Sequence, residues 1–266
     1  MAYYTNKKVW ITGASAGIGR ALALTLAKQG ANLVLSSRKE ASLIEVKKDC
    51  GDSVNVDILV LDLEDHEGIE RVFYENQSLI QDVDILINNG GISQRSKVSE
   101  TEFSVYKKLM DVNYLGAVQL SRLILPFFMK RQKGHFVVMS SVAGKFGVPY
   151  RSGYSAAKMA LHGFFDSLRA EVSQSGIYVS IICPGFVKTD ISKNAITGDG
   201  KKYEKMDKAQ EKGMDVMVLA KEILKAVQNH KAESYFGGFR ETKLAIFVSK
   251  LFPNRFRKII AKAKVK

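Results

Sequence analysis

Apolar positions fall into short blocks, separated by longer stretches in which apolar residues recur three and four apart. The blocks predict strands at Val9-Trp10-Ile11, Asn32 to Ser36, Val54 to Leu61, Asp84 to Ile87, His135 to Met139 and Tyr178 to Ile182. The stretches between them predict helices from Ile18 to Lys28, Lys39 to Asp49, Asp65 to Ile80, Glu102 to Lys130 and Gly153 to Gln174. Gly30 is a natural stop beyond the first helix, and Pro126 is expected to disturb the long fourth one. Short apolar strands alternating with helices argue for a parallel sheet covered on both faces. Right-handed crossovers then give an α/β fold, a doubly wound parallel sheet in a single domain. No repeat of solenoid period is present.

Two stretches depart from this pattern. Phe186 to Gly213 is polar and Lys-rich, with Gly198 and Gly200, and is expected as a mobile insertion over a site. The sheet domain is assigned to residues 1–240, and 241–266 to a basic amphipathic tail. In that tail Leu244, Ile246, Phe247, Val248, Leu251, Phe252, Phe256, Ile259 and Ile260 alternate with Lys243, Lys250, Arg255, Arg257, Lys258, Lys262, Lys264 and Lys266, and Pro253 divides it. Two readings stand: helices packed on the body, or an interfacial segment on a membrane surface.

Composition sharpens the picture at three points. The 266 residues carry 40 Lys+Arg against 27 Asp+Glu, a net charge of +13 that favours an anionic partner. More than half of it, +7, sits in the tail, and no nucleic-acid motif accompanies it, so no nucleic-acid partner is expected. With 46 % hydrophobic residues and four prolines, the chain is neither disordered nor collagen-like. Cys50 and Cys183 cannot form a disulfide framework and fit a reducing compartment. Strand-like sequence from Lys8 leaves no room for a cleaved signal peptide, and no apolar run approaches the ~18 residues of a membrane span. The expected location is cytoplasmic, with peripheral membrane contact through the tail under the second reading.

The run Thr12-Gly13-Ala14-Ser15-Ala16-Gly17-Ile18-Gly19 joins the first strand to the first helix. Glycines there allow a tight turn and close approach of a pyrophosphate to a helix N-terminus, the setting of a Rossmann-type dinucleotide site. The second strand ends in Ser36-Ser37-Arg38-Lys39, with no acid before Glu40. An acid would hold the ribose hydroxyls of NAD, whereas hydroxyls and a guanidinium suit a ribose phosphate. NADP(H) is therefore the expected cofactor.

Tyr154 and Lys158 lie four apart at the start of a helix and share one face. A phenol with a pKa near 10 is a poor proton donor and acceptor at neutral pH, and a nearby ammonium is expected to lower it. Ser141 follows the strand ending at Met139, where its hydroxyl could hold a substrate carbonyl beside the phenol. The four histidines show no ligand spacing with the cysteines, so no metal site is expected. No G-x-S-x-G elbow or triad order supports a hydrolase.

Together these residues resemble the short-chain dehydrogenase/reductase family over about residues 7 to 235, and Asn88-Asn89-Gly90-Gly91, Asn113 and Pro184-Gly185 join the set. The runs Gly90-Gly91-Ile92-Ser93-Gln94-Arg95-Ser96 and Gly163-Phe164-Phe165-Asp166-Ser167-Leu168-Arg169 are similar to its hydroxysteroid and retinoid dehydrogenase branch. The resemblance implies an oxidoreductase acting on a carbonyl/secondary-alcohol pair. Tyr154 would be general acid/base, Ser141 would orient the carbonyl, Lys158 would also bind the nicotinamide ribose, and Asn113 would complete a proton relay. It also implies cofactor contacts from Gly13, Ser15, Ala16, Gly17, Ile18, Gly19, Ser37, Arg38, Asp62, Leu63, Asn89, Gly90, Tyr154, Lys158, Pro184, Gly185, Val187 and Thr189. The family usually has Ala at the position of Gly90, a lost methyl that should loosen the turn slightly. A homodimer or homotetramer is implied as well. Gly147-Val148-Pro149-Tyr150 and Phe186 suggest an apolar small-molecule substrate. The alternative is a nucleotide-binding sensor or scaffold without catalysis.

Overall fold

The computed structural model describes residues 3–263. Lys264 and Lys266 of the basic tail lie outside them. The chain runs β1 (Lys8–Thr12), α1 (Gly17–Ala27), β2 (Asn32–Ser36), α2 (Glu40–Cys50), β3 (Val56–Ile58), α3 (His66–Glu75), α4 (Gln77–Ile80) and β4 (Ile85–Asn88). It continues through α5 (Phe103–Met110), a π turn (Asp111–Leu115), α6 (Gly116–Arg131), β5 (Gly134–Met139), α7 (Ser152–Glu171) and β6 (Ile177–Pro184). Last come α8 (Lys208–Glu211), α9 (Val216–Gln228), β7 (Glu233–Phe236), a second π turn (Arg240–Leu244), α10 (Ala245–Leu251) and α11 (Pro253–Ala261).

The seven strands form one parallel sheet in the order β3-β2-β1-β4-β5-β6-β7. Strand periodicity divides the core into two layers. Val9, Ile11, Leu33, Leu35, Ile85 and Ile87 point to the side covered by α1, α2 and α9. Trp10, Val34, Leu86, Phe136 and Val138 point to the side covered by α3, α6 and α7. Strand order reverses between β1 and β4, which opens a crevice at their carboxyl ends.

Several boundaries differ from the periodicity. The strand expected over Val54 to Leu61 is regular only over Val56–Ile58. The helix expected over Asp65 to Ile80 breaks at Asn76, whose Nδ2 donates to the Val72 carbonyl at 2.9 Å. Pro126 does not interrupt its helix: α6 runs through it to Arg131. The proline lacks the backbone donor to the Arg122 carbonyl, and the helix continues past that gap. The disturbance lies instead in the π turn around Asn113.

The stretch from α5 to α6, Phe103–Arg131, is long and apolar enough to cross a membrane by length and composition, unlike what the run-length reading expected. Half of its most apolar window is buried in this fold, where Leu120, Ile124 and Phe128 pack into the core.

Candidate active site

A cleft of about 1260 Å³ lies over the carboxyl ends of β1, β4, β5 and β6. Single small-molecule sites span roughly 300–1,000 Å³, so there is room for a dinucleotide beside a substrate.

At one end β1 delivers Thr12 into the glycine loop. Thr12 Oγ1 accepts from the backbone N–H groups of Asn89 and Gly90, both at 3.0 Å. The Asn89 amide donates back to the carbonyls of Thr12 (2.9 Å) and Gly13 (3.2 Å), bracing the loop. Gly13 has φ +64°, and a Cβ there would lie 2.7 Å from Gly90 Cα. A Cβ on Gly19 would lie 2.2 Å from the Gly13 carbonyl oxygen. Only glycine lets loop and helix approach this closely. The first turn of α1 lines the cleft, and Ala16 gives it no side-chain cap. At Gly90 a methyl would come within 2.5 Å of Leu63 Cδ1. Leu63 thus occupies the space that an alanine would use, so the turn is filled rather than loosened.

Further along, Ser36 is buried and accepts from the Trp10 indole at 2.8 Å. Ser37, Arg38 and Lys39 line the rim, and Arg38 is exposed with no ion-pair partner among the described residues. Asp62 also lines the cleft, its Oδ1 accepting from the Glu64 N–H at 3.1 Å. Ser15, Gly17, Ile18, Pro184, Gly185, Val187 and Thr189 complete this wall. Gln210 Nε2 donates to the Val187 carbonyl and, at 3.2 Å, to Thr189 Oγ1.

At the other end the four residues of the expected proton machinery meet. Ser141 accepts from the Ala143 N–H at 3.1 Å and donates to the Pro184 carbonyl at 3.4 Å. Its neighbour Ser140 turns to the other side, donating to the Lys158 carbonyl at 3.1 Å. The N-terminus of α7 is held by Gln94, whose Oε1 accepts from Gly153 (2.8 Å) and Tyr154 (3.3 Å). Lys158 Nζ donates to the Met139 carbonyl at 2.7 Å and lies 5.8 Å from the Tyr154 ring centre. Asn113 is buried in the π turn, donating to the Leu109 carbonyl and accepting from the Ile92 N–H, each at 3.0 Å. A side chain that competes with the helical ladder in this way suits a π distortion.

Burial dominates the electrostatics of this pair. Burial raises the Tyr154 phenol above its ordinary pKa, opposed by a hydrogen bond to Ser141 and by the Arg151 and Arg95 guanidiniums. Burial lowers Lys158 to about 8. The Arg151 and Arg95 guanidiniums thus act on the phenol, and the Lys158 ammonium, 5.8 Å from its ring centre, is held by the Met139 carbonyl.

Other features of the site have no local sequence signal. The insertion is anchored rather than loose: Asp207 pairs with both Arg95 and Arg151, and Ile196 bridges to Gln94 and Lys202. The tail supplies part of the cleft wall through Phe256, Ile259, Ile260 and Ala263. Phe256 is buried edge-on against Phe146, with ring centres 4.6 Å apart. Behind Ser140, His162, Cys183 and Glu233 bring potential ligand atoms within 4.8 Å of one another, a set that sequence spacing does not reveal. The Lys145 ammonium already sits 2.8 Å from Glu233, and burial holds the His162 imidazole below and the Cys183 thiol above their ordinary pKa values.

The pattern of the family described as "short chain dehydrogenase" matches residues 7–200. The chain belongs to the short-chain dehydrogenase family. "Dehydrogenase/reductase SDR family protein 7-like" of Drosophila melanogaster is 40 % identical over 267 residues, covering 98 % of this chain and 81 % of that protein. A short-chain dehydrogenase from Streptomyces avermitilis superposes with TM-score 0.81 at 24 % identity, covering 96 % of this chain and 98 % of the other. One from Sphingobium yanoikuyae, solved in complex with NADPH, superposes with TM-score 0.78 at 25 % identity over 97 % and 96 % of the two chains.

As a short-chain dehydrogenase this chain is an oxidoreductase of a family that uses a nicotinamide cofactor. The glycine corner fits such a group: a helix start without a side-chain cap and an exposed Arg38 face one cleft, and both suit anionic phosphates.

Proposed function

We propose that the protein transfers hydride between NADP(H) and a carbonyl/secondary-alcohol substrate, with Tyr154 as general acid/base. The observation that carries this reading is the meeting of Tyr154, Ser141, Lys158 and Asn113 in the cleft that the glycine loop enters. Ser37 and Arg38 would hold the ribose phosphate that distinguishes NADP(H), with no acid at the end of β2 to repel it. When bound, the dinucleotide supplies or accepts the hydride. Ser141 holds the substrate oxygen, Tyr154 exchanges a proton with that oxygen, and Lys158 and Asn113 hold the route by which the proton is replaced. Phe146, Val148, Phe186 and Phe256 offer the substrate apolar walls.

Tyr154→Phe tests this. Turnover on an active ketone should fall about 10²–10⁴-fold while NADPH binding is retained. Near-normal turnover would refute the assignment. A sensor or scaffold without catalysis would oxidise NADPH with no member of a panel of steroids, retinoids, aliphatic ketones and quinones.

A second role is favoured by the surface of α10 and α11, where Phe247, Leu251, Phe252 and Ile259 are exposed among Lys250, Arg255, Arg257 and Lys258. Apolar and basic side chains together suit an anionic membrane surface. Co-sedimentation with anionic vesicles should fall with salt and disappear on removal of residues 241–266. Equal binding without the tail would refute it.

A further inference from the structure

The substrate end of the cleft holds a charge imbalance that proton and hydride transfer leave unused. Arg95 and Arg151 share a single carboxylate, Asp207. Arg95 Nε donates to Oδ1 at 3.3 Å, its Nη2 pairs with Oδ2, and Arg151 Nη2 donates to the same Oδ2 at 3.0 Å. The three side chains are only 4 %, 11 % and 5 % exposed, and all three residues line the cleft.

Two guanidiniums against one carboxylate leave a net positive charge in a water-poor site, and a buried charge is costly without a counter-charge. The residual donors are unevenly used. Arg95 Nη1 donates to Ser93 Oγ at 3.0 Å and to the Gln94 carbonyl. Arg151 Nε is buried without an acceptor among the described residues, and its guanidinium lies 5.8 Å from the Phe186 ring centre. Burial and the neighbouring Arg95 lower Arg151 to about 10. A purely structural clamp on the insertion would be complete with Arg95 and Asp207. Arg151 is surplus to it, and it stands one turn before Tyr154.

We propose that Arg151 and Arg95 form an anion subsite, so that the preferred carbonyl substrate carries a carboxylate or phosphate group beside its apolar part. This rests on the oxidoreductase reading and adds a substrate class to it. The anion would join or displace Asp207, and planar guanidiniums suit the paired oxygens of either group.

The test uses the full chain with NADPH and matched ketones: keto acids with their methyl esters, and ketone phosphates with the free hydroxyketones. In at least one arm the charged member should show a kcat/KM tenfold or more above its neutral partner, and the responding arm tells carboxylate from phosphate. Arg151→Gln should shrink that ratio 10–100-fold, chiefly through KM for the charged member. Arg95→Gln serves should the first variant fail to fold. Binding of the same compounds to the NADPH complex is read by cofactor fluorescence. Charged members binding more tightly than neutral ones support the subsite even with no turnover, an outcome that counts only against the hydride-transfer reading. Neutral partners matching or exceeding the charged ones in both arms, or an unchanged ratio in the variants, overturns the subsite.

Discussion

The Lys158 ammonium donates to the Met139 carbonyl at 2.7 Å, tying the first turns of α7 to the last residue of β5. The bond places a buried cation where the sheet ends and the proposed proton machinery begins. Lys158→Met should remove the cation and leave the carbonyl unpaired, lowering turnover about 10²-fold or more. Lys158→Arg should not rescue it, because a planar guanidinium cannot replace a compact ammonium in this space. Steady-state kinetics at saturating NADPH check both.

The same residue predicts opposite pH trends for activity and stability. Burial lowers Lys158 to about 8 in the folded protein, against an ordinary 10.5. Between these values the unfolded chain holds a proton that the native protein has released. Stability from this group therefore rises with pH from about 8 to 10.5, while turnover that needs the ammonium falls. Urea unfolding and pH–rate profiles measured together should cross in this window, and Lys158→Met should abolish this contribution to both slopes.

Arg38 is exposed at the rim with no ion pair among the described residues, so its loss should leave the fold untouched. Arg38→Ala should raise the KM for NADPH about 10–100-fold, the value of one or two charge-assisted hydrogen bonds, with little change for NADH. Initial-rate measurements with both cofactors decide it. An equal effect on both would place the ribose phosphate elsewhere.

Asn113 joins the π turn to the segment after β4 through the Ile92 N–H. Asn113→Ala should leave that donor unpaired, at a cost of about 1–3 kcal/mol. Thermal unfolding should fall by several degrees, and turnover should fall more than stability alone explains. An unchanged melting temperature would show that the π turn does not depend on this side chain.

Much of this arrangement is legible along the chain, because its parts are local. The glycine loop, Ser37 and Arg38 after β2, and the Tyr154–Lys158 spacing each lie within one element or one turn. The doubly wound order follows from alternating apolar strands and amphipathic helices. What escapes is contact between distant segments. β7 is a four-residue edge strand, Glu-Ser-Tyr-Phe, with only Ser234 fully buried, so it shows no apolar block. α9 carries its own amphipathic spacing, Leu219, Ile223, Leu224 and Val227, but it follows directly on the polar insertion and is not set apart from it along the chain. Gln94 holds α7 across about 60 positions, and Arg95 meets Asp207 across 112. Pro126 misleads because α6 is held by tertiary packing: Leu120, Ile124 and Phe128 of the same helix are buried in the core, and the helix continues past the missing donor.

The contact between Phe146 and Phe256 makes the cleft wall depend on α11. Phe256 is buried edge-on against Phe146, and Ile259, Ile260 and Ala263 line the cleft beside it. Whatever lifts α11 from the body therefore strips an apolar wall from the proposed substrate site. Deletion of residues 241–266 should be read for turnover as well as for vesicle binding, because one segment serves both readouts.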